Sequence, residues 1–348
     1  MIRTLVPLAF DGSEPALGSQ VQVLGGANMG TTWSVRWAGP PDAALPPVRA
    51  AIEQELDDVI AQMSTWREDS TVSHYNRAEA GSWHTLPPST AEVLDAGLQM
   101  ARLSGGAFNP AAGALVEAWG FGRSPRYTDP GFVPPSGAAL DAAHARSDWR
   151  RLEWQAAERR LLQPGGLRLD FSAIAKGHAV DRVALRLRAL GLEHVLVEVG
   201  GELRGHGLRP DVQPWWVELE QPPHGADAAA SSAQDVPPHP PVTRIALHGL
   251  SVATSGDYRR FFAHGSQHLP HTIDPRSGRP IAHGLASVSV VHASCMWADA
   301  WSTALTVLGL EAGVALAREH GIAALFLQRG ADGRLHEALT PALEALAA

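Results

Sequence analysis

Asp299 and Thr303 are residues whose types and spacing could do chemistry. They lie four positions apart in a stretch of helical periodicity, so their side chains would project from one helix face, one turn apart. A carboxylate and a hydroxyl oxygen together suit a hard cation such as Mg²⁺. The structural alternative is that Asp299 caps this helix and Thr303 bonds back to a backbone carbonyl. The pair alone leaves both interpretations open.

The segment "LDFSAIAKGHAVD" holds a second candidate pair. Asp170 would end a short strand, and Lys176 would begin a helix six residues later. Proteins of mixed α/β structure often bind phosphorylated ligands at such a junction, and lysine supplies a point charge for a phosphate. Alternatively, Asp170 caps the turn and Lys176 is solvated.

Several common functional signatures are missing from the 348 residues. The sequence contains no G-x-G-x-x-G, G-x-x-x-x-G-K-[ST], H-E-x-x-H or G-x-S-x-G, so dinucleotide-binding, P-loop, zinc-protease and nucleophile-elbow assignments are unsupported. The net charge of -8, with acids and bases interspersed, offers no basic stripe for nucleic acid. The single cysteine, Cys295, excludes an internal disulfide framework and a multi-cysteine metal cluster.

Hydrophobic periodicity predicts the elements that position these residues in the first half of the chain. "VQVLGGANMGTTWSVRW" predicts a strand or hairpin with Met29 and Gly30 at its break. The residues that follow have apolar positions at helical spacing, and "STWREDSTVSHYNR" then continues as a polar loop. "PPSTAEVLDAGLQMARLSGG" predicts a second helix with a capping box formed by Ser89 and Glu92.

The second half of the chain predicts a strand, helix, strand unit within 167–207, with its helix starting near Lys176. "TRIALHGL", "GLASVSVVHAS" and "AALFLQR" predict further strands, and two helical pieces break near Gly309. The range 221–241 has six prolines and no periodicity, which predicts a surface loop insertion. We expect one domain over 20–340.

The N-terminal sequence "MIRTLVPLAFDGSEP" is too short in apolar residues for a signal-peptide core and has no lipobox cysteine. No later run approaches the roughly 20 apolar residues of a spanning helix. These features predict a soluble, cytoplasmic protein without a transmembrane segment. A periplasmic location is the alternative if the N-terminus is truncated.

Eight sequence blocks, in this order, resemble the ApbE family of FAD:protein FMN transferases. They run from Met29 to Gly309: "NMGTTWSV", "MSTWREDSTVSHYNR", "GGAFNPAAGALVEAWGFG", "LDFSAIAKGHAVDRV", "VEVGGELRGHG", "ATSGDYRRFF", "HTIDPRSGRP" and "ADAWSTALTVLG". The resemblance implies an α+β (mixed α/β) fold of the T-fold-like kind, with antiparallel sheets flanked by helices in two related halves. Many relatives are exported lipoproteins.

The same resemblance implies an activity. Family members use Mg²⁺ and FAD to attach FMN, through a phosphoester, to a threonine or serine of a target flavoprotein, and they release AMP. The partners would be FAD as substrate and a flavin-acceptor protein. The alternatives are an FAD pyrophosphatase that gives FMN and AMP, and a non-catalytic FAD-binding protein.

Site residues follow from the resemblance position by position. The metal ligands would be Ala173, through its backbone carbonyl, with Asp299, Ser302 and Thr303. The FAD contacts would be Met29, Trp66, Ala107, Phe108, Asn109, Asp170, Lys176 and Ile273. The catalytic residues would be Asp299 and His271, with His271 as the candidate base because an imidazole titrates near neutral pH, and Asp274 would brace its turn.

The sequence departs from the family pattern at several positions. Trp66 replaces the more usual tyrosine, which keeps an aromatic plate but loses the hydroxyl. Asn109 stands where an aspartate is commoner, so an amide replaces a carboxylate. His178 replaces an aromatic residue after "KG". The insertion at 221–241 is unusually long.

Overall fold

The fold is described from a computed structural model, which covers residues 2–7, 12–222, 240–265, 267–330 and 334–347. The predicted insertion at 221–241 falls mostly outside these described residues. Helices in the described chain are α1 Leu45–Met63, α2 Thr71–Arg77, α3 Pro88–Leu103, α4 Gly113–Ala118, α5 Gly137–His144, α6 Ala175–Ala189, α7 Cys295–Glu319 and α8 Pro341–Glu344.

Eight strands form the central sheet, in which every neighbouring pair is antiparallel. These strands follow one another across the sheet in chain order. They are β2 Gln20–Asn28, β3 Thr31–Gly39, β7 Val195–Val199, β8 Glu202–His206, β11 Leu250–Gly256, β16 Leu285–His292, β17 Ala323–Arg329 and β18 Leu335–Leu339. The predicted α+β class with antiparallel sheets is confirmed.

The remaining strands form small sheets around the central one. They are β1 Ile2–Leu5, β4 Trp83–Thr85, β5 Trp154–Gln155, β6 Arg160–Leu162, β9 Trp215–Glu218, β10 Val242–Leu247, β12 Phe261–His264, β13 Gln267–Pro270, β14 Ile273–Asp274 and β15 Arg279–Pro280. Strand β1 pairs in parallel with β10, so residues before position 20 take part in the fold although the predicted domain, 20–340, starts after them.

The central sheet consists of two consecutive halves with the same topology. In the first half, β2 and β3 are followed by helices that end with α6, and then by β7 and β8. In the second half, β11 and β16 are followed by α7, and then by β17 and β18. Helices α6 and α7 therefore have equivalent positions, and they pack against each other over the sheet.

Each face of the central sheet is covered by a hydrophobic layer. Alternate residues of β7 face opposite layers: Val197 packs with the helices, whereas Leu196 packs with the small sheet of β1, β10 and β9. Strand β16 is buried along almost its whole length, as expected for a strand covered on both faces. A third cluster, which includes Leu115, Trp119 and Ile273, lies between α4, α5 and β14.

Several local predictions are confirmed. Strands β2 and β3 form the predicted hairpin, and Met29 and Gly30 at its turn have φ values of 53° and 70°. These left-handed conformations are the ones that a two-residue hairpin turn requires. Gly309 interrupts the helical backbone of α7 at φ 78° and ψ 179°, at the predicted break.

Three local predictions were wrong. Helix α3 begins at Pro88 with no side-chain cap, and the Ser89 hydroxyl bonds the His178 ring at 2.5 Å instead of capping the helix. The supposed polar loop contains α2, which Ser70 caps by accepting a hydrogen bond from the backbone of Ser73. The expected strand before Asp170 is reduced to one isolated bridge between 112 and 168. At Ser89 a tertiary partner, His178, outweighs the local pattern, whereas α2 is capped by a serine of its own segment.

Helix α7 is the one helix in the described chain that is long and apolar enough to cross a membrane. It packs against β11, β16 and α6, and 56% of its most apolar window is buried inside the protein. No transmembrane segment was predicted from the sequence, because no run approaches the roughly 20 apolar residues of a spanning helix. We interpret α7 as the core helix of the second half.

Candidate active site

The site is built where the first turns of α6 and α7 meet. The Asp299 carboxylate, on α7, is only 3% exposed and accepts a hydrogen bond of 3.0 Å from the backbone N–H of Gly177, in the first turn of α6. Burial raises the pKa of Asp299, and the nearby charge of Lys176 and this N–H oppose the rise. A buried carboxylate beside a cation and the first turn of a helix is a strong position for binding a metal ion or a phosphate.

Gly177 allows the two helices to come this close. A Cβ atom at position 177 would lie 2.8 Å from the Cβ of Asp299 and would also collide with the carbonyl group of Cys295. Real Cβ atoms do not approach other atoms at these distances. The glycine after Lys176 therefore sets the distance between the helix that carries the lysine and the helix that carries the carboxylate.

Replacing Gly177 by alanine is expected to lower both thermal stability and Mg²⁺ affinity, because α6 must move away from α7. Overpacking of this kind typically lowers the free energy of unfolding by about 1–3 kcal/mol. Gly137 is the matched control, because it is also helical and a Cβ there would meet open space. Gly137→Ala should be neutral or slightly stabilising. Thermal melts and Mg²⁺ titrations of both variants test this; equal behaviour of the two would contradict the close-packing explanation.

Lys176 forms an ion pair with Glu202, at the start of β8. Burial alone would lower the pKa of Lys176, but Glu202 and Asp299 outweigh it and raise that pKa. Burial raises the pKa of Glu202 to about 7, and Asp299 adds to the rise while Lys176 opposes it. The second carboxylate oxygen of Glu202, Oε2, is buried without a hydrogen-bond partner within the described residues.

Glu202 was not among the residues predicted from the sequence, and the significance of Lys176 as the only lysine was not predicted either. Glu202 begins β8 directly after two glycines, and it is only 3% exposed. Lys176 is the only lysine of the sequence, since every other basic side chain is arginine. The chain thus has a compact ammonium, rather than a guanidinium group, at this partly buried position beside the carboxylates of Glu202 and Asp299.

Three hydroxyl groups continue the site from Asp299. The Ser255 hydroxyl, on β11, lies 2.8 Å from that of Ser302 and 3.1 Å from that of Thr303. Ser302 is fully buried and its hydroxyl donates to the backbone carbonyl of Asp299 at 2.9 Å. The Thr303 side chain is partly exposed, so its oxygen is the more accessible of the two predicted ligands.

Asp181 fixes the start of α7 relative to α6, and sequence analysis did not identify it. Its carboxylate accepts hydrogen bonds from the backbone N–H groups of Cys295 and Met296, each at 3.0 Å, and from the Ser294 hydroxyl at 2.7 Å. Arg204 completes an ion pair with the same carboxylate. Asp181 of α6 thus satisfies the first backbone N–H groups of α7, one turn before Asp299.

The donor atoms at this position fit Mg²⁺. The predicted ligands supply a carboxylate, hydroxyl groups and the carbonyl of Ala173, which lies in the turn before α6, and all are oxygen donors of the kind that Mg²⁺ prefers. Within the described residues, no group of three or more His, Cys, Asp and Glu side chains could hold a metal. A softer, nitrogen- or sulfur-ligated metal therefore finds no such set here.

The predicted FAD contacts occupy several neighbouring segments. Met29 lies in the β2–β3 turn, close to the Gly200 loop, because a Cβ on Gly200 would lie 2.9 Å from Thr31 and 3.5 Å from Oε2 of Glu202. The side chains of Ala107 and Phe108 are buried in the turn after α3. These two residues would therefore contact a ligand mainly through backbone atoms.

The amide of Asn109 is used within its own turn. Its Nδ2 donates to the carbonyl of Ser147 at 2.6 Å, and its Oδ1 accepts from the N–H of Ala111 at 2.8 Å. A carboxylate could not donate the first of these hydrogen bonds. The departure at Asn109 therefore has a structural partner in this chain.

Trp66 lies in the segment that follows α1, and Asp170 lies close to the same segment. Trp66 is 43% exposed, and the guanidinium group of Arg126 stands 5.0 Å from its ring centroid. Asp170 lines a small cleft together with Thr65 and Asn76. Burial raises the pKa of Asp170, and hydrogen bonds from Ser172 oppose the rise.

His271 begins the turn that sequence analysis singled out. Its Nδ1 lies 3.1 Å from the carbonyl of Arg260, and its ring contacts Phe121 edge-on with centroids 6.3 Å apart. Asp274 braces the turn by accepting hydrogen bonds from the backbone and guanidinium groups of Arg276. Ile273, between them, packs into the third hydrophobic cluster.

The pKa of His271 is lowered to about 4. Although part of the side chain reaches solvent, protein atoms surround most of the ring, and this burial is the main cause. The Arg260 carbonyl opposes the effect, whereas the charges of Arg260, Lys176 and Arg259 add to it. Lys176, one of these three charges, also acts on the pKa of Asp299 and favours a neutral ring at position 271.

Known proteins resemble this chain over most of its length. The family model described as "ApbE family" matches residues 29–326. The FAD:protein FMN transferase of Vibrio cholerae is 34% identical over 313 residues, which cover 89% of this chain and 88% of the relative. The protein of the same name from Haemophilus influenzae is 31% identical over 340 residues, covering 96% and 94%.

A solved structure agrees with these sequence relatives. The flavinyl transferase ApbE of Pseudomonas stutzeri, in its apo form, superimposes with a TM-score of 0.83 at 36% identity, and the match covers 95% of this chain and 98% of that one. Sequence and fold thus agree over nearly the whole chain. This protein is an enzyme that belongs to the ApbE family of flavin transferases.

Proposed function

We propose that this enzyme transfers FMN from FAD to a threonine or serine hydroxyl of a flavin-acceptor protein, in a Mg²⁺-dependent reaction that releases AMP. The observation that carries the proposal is the meeting of Asp299, Thr303 and Lys176 at the adjoining starts of α6 and α7. Oxygen ligands and a fixed cation are what a pyrophosphate requires. The names of the relatives support the same reaction.

In this reaction the acceptor hydroxyl oxygen attacks the FMN-side phosphorus of FAD. The new P–O bond joins FMN to the acceptor, the bond to the bridging oxygen breaks, and AMP departs with that oxygen. When bound, Mg²⁺ would neutralise phosphate charge as the displacement proceeds. Lys176 stays protonated because its pKa is raised, so it supplies a permanent positive charge for the same oxygens.

His271 is arranged to accept the proton of the attacking hydroxyl. The Arg260 carbonyl can only accept a hydrogen bond, so the contact at 3.1 Å requires that Nδ1 carries the hydrogen. Nε2 then keeps its lone pair. Because the pKa of the ring is lowered to about 4, the imidazole is neutral at physiological pH and available as a base.

The lowered pKa has a consequence for the pH profile. A base acts in its neutral form, so activity declines only where His271 becomes protonated, at about pH 4 rather than near the ordinary histidine value of about 6.5. In kcat/KM for FAD, which reports groups of the free enzyme, we expect no decline between about pH 5.5 and 8 that depends on His271; a change near pH 7 that persists in His271→Ala would reflect Glu202. Steady-state rates across this range check the expectation. An acidic limb near 6.5 that disappears in His271→Ala would contradict the lowered pKa.

The proposed reaction can be tested by incubating the protein with FAD, Mg²⁺ and a candidate flavoprotein subunit and then measuring the intact mass of the subunit. An added FMN moiety, lost when its acceptor threonine is changed to valine, is the expected result. Chromatography of the same mixture without the subunit separates the alternatives. Release of free FMN and AMP at the full rate would indicate a pyrophosphatase, and no turnover of any kind would indicate a binding protein.

A further inference from the structure

The turn after β11 places Arg259 against the loop between β7 and β8. Its Nη1 donates a hydrogen bond of 2.8 Å to the carbonyl of Gly200. A Cβ atom on Gly201 would lie 2.9 Å and 3.0 Å from the two terminal nitrogens of the guanidinium group. Glycine at 201, with φ 103°, therefore provides the space in which this guanidinium group lies.

The rest of the guanidinium group is held by Glu220, which follows β9. Nη2 forms an ion pair with Oε2 of Glu220, and Nε lies 3.4 Å from Oε1. The two side chains are 44% and 41% exposed, and exposed ion pairs contribute little net stability. The two-point geometry is also the one with which arginine binds a phosphate, so a phosphate can replace this carboxylate at small cost.

The charge of Arg259 acts on the groups that form the active site. It lowers the pKa of His271 and counteracts the rise in the pKa of Lys176. Through Gly200 and Gly201, Arg259 also contacts the loop that leads directly into Glu202, the ion-pair partner of Lys176. The reaction described above gives Arg259 no role.

We propose that Arg259 binds an anionic phosphate group of the ligand, and that Glu220 holds its guanidinium group when no phosphate is present. Under the proposed function, the anion is the pyrophosphate of FAD. Lys176 and Arg259 would then contact it as a point charge and as a planar fork, respectively. Glu220 acts as a competitor that leaves the guanidinium group when FAD binds.

The proposal predicts that substitutions of Arg259 and of Glu220 change FAD affinity in opposite directions. FAD affinity is measured by the quenching of tryptophan fluorescence. Arg259→Ala should weaken FAD binding about 10-fold, the effect of losing one charge-assisted contact at a partly exposed site. Glu220→Gln should tighten it by roughly 3- to 10-fold, because the competitor and a repelling charge are both removed. Arg259→Lys, which keeps the charge but not the fork, should lie between wild type and Arg259→Ala.

Two controls make the test specific. Riboflavin lacks phosphate, so its affinity should not change in any of these variants. Glu193→Gln removes the acid of another exposed ion pair, which Glu193 forms with Arg188 at 3.2 Å. Glu193 follows the C-terminal end of α6, whereas Lys176 lies at the N-terminal end. The Glu193→Gln variant should bind FAD like wild type, which excludes a general effect of surface charge.

Each outcome decides one part of the proposal. Wild-type FAD affinity in Arg259→Ala would overturn the anion site, as would an equal loss of riboflavin and FAD affinity. Unchanged FAD affinity in Glu220→Gln would overturn the competitor role. Tighter binding in Glu220→Gln cannot result from misfolding. These measurements need no turnover, so a protein that shows them but fails to modify an acceptor would refute the transferase proposal and leave the anion site intact.

Discussion

Replacing Asp299 by asparagine is expected to slow single-turnover FMN transfer by at least about 100-fold at ordinary Mg²⁺ concentration, because even indirect changes around a metal ligand cost 10- to 100-fold. Asparagine keeps the shape of the buried side chain and can still accept the Gly177 N–H, so the junction of α6 and α7 should persist. What is lost is the negative charge that holds the cation. FAD binding should survive in weakened form.

A Mg²⁺ titration distinguishes this explanation from a structural one. The rate in Asp299→Asn should recover partly as Mg²⁺ is raised, whereas a distorted fold would not respond. Thr303→Val should raise the Mg²⁺ requirement less, because water can replace a neutral ligand. Thr306→Val is its matched control, since that hydroxyl is buried on the same helix and donates to the carbonyl of Ser302 at 2.7 Å. Wild-type rates in Asp299→Asn would reject the metal assignment.

Replacing His271 by alanine is expected to slow FMN transfer by roughly 10² to 10⁴, the usual range for a lost general base. FAD affinity should change little, because the ring contacts Phe121 and the Arg260 carbonyl rather than the cluster at Asp299. Single-turnover transfer at saturating FAD and Mg²⁺ measures the loss. His268→Ala is a matched control: that ring is exposed and lies on Phe261, 4.2 Å between centroids, and its loss should leave the rate unchanged.

Asparagine at position 271 separates a base from a mere hydrogen-bond donor. Its amide can donate to the Arg260 carbonyl and keep the turn in place, but it cannot accept a proton near neutral pH. His271→Asn should therefore be as slow as His271→Ala. Recovery of most of the activity in the asparagine variant would show that His271 only holds the turn, and it would leave the transferase function untouched.

The sequence by itself determined the class of the fold and most of its elements. The alternating strands around Met29 and the helical periodicity of α1, α6 and α7 are local patterns, and burial of one face or stripe is enough to make them form. Gly309 was also predictable, because a glycine in the middle of a helical pattern marks a break. The order of the sequence blocks indicated the family, and with it Asp299, Thr303 and Lys176.

Only the tertiary structure decided which of these residues act together and through which partners. Ser89 has the sequence context of a helix cap, yet His178, 89 positions away, takes its hydroxyl. Glu202 and Arg259 lie in sequence blocks of the family resemblance, but their roles arise from contacts with residues far away in the chain, Lys176 and Glu220. The sequence pattern around a residue indicates the helix or strand in which that residue lies. Its charge state and its hydrogen bonds depend on the side chains that the packed helices and sheets bring within a few ångströms of it.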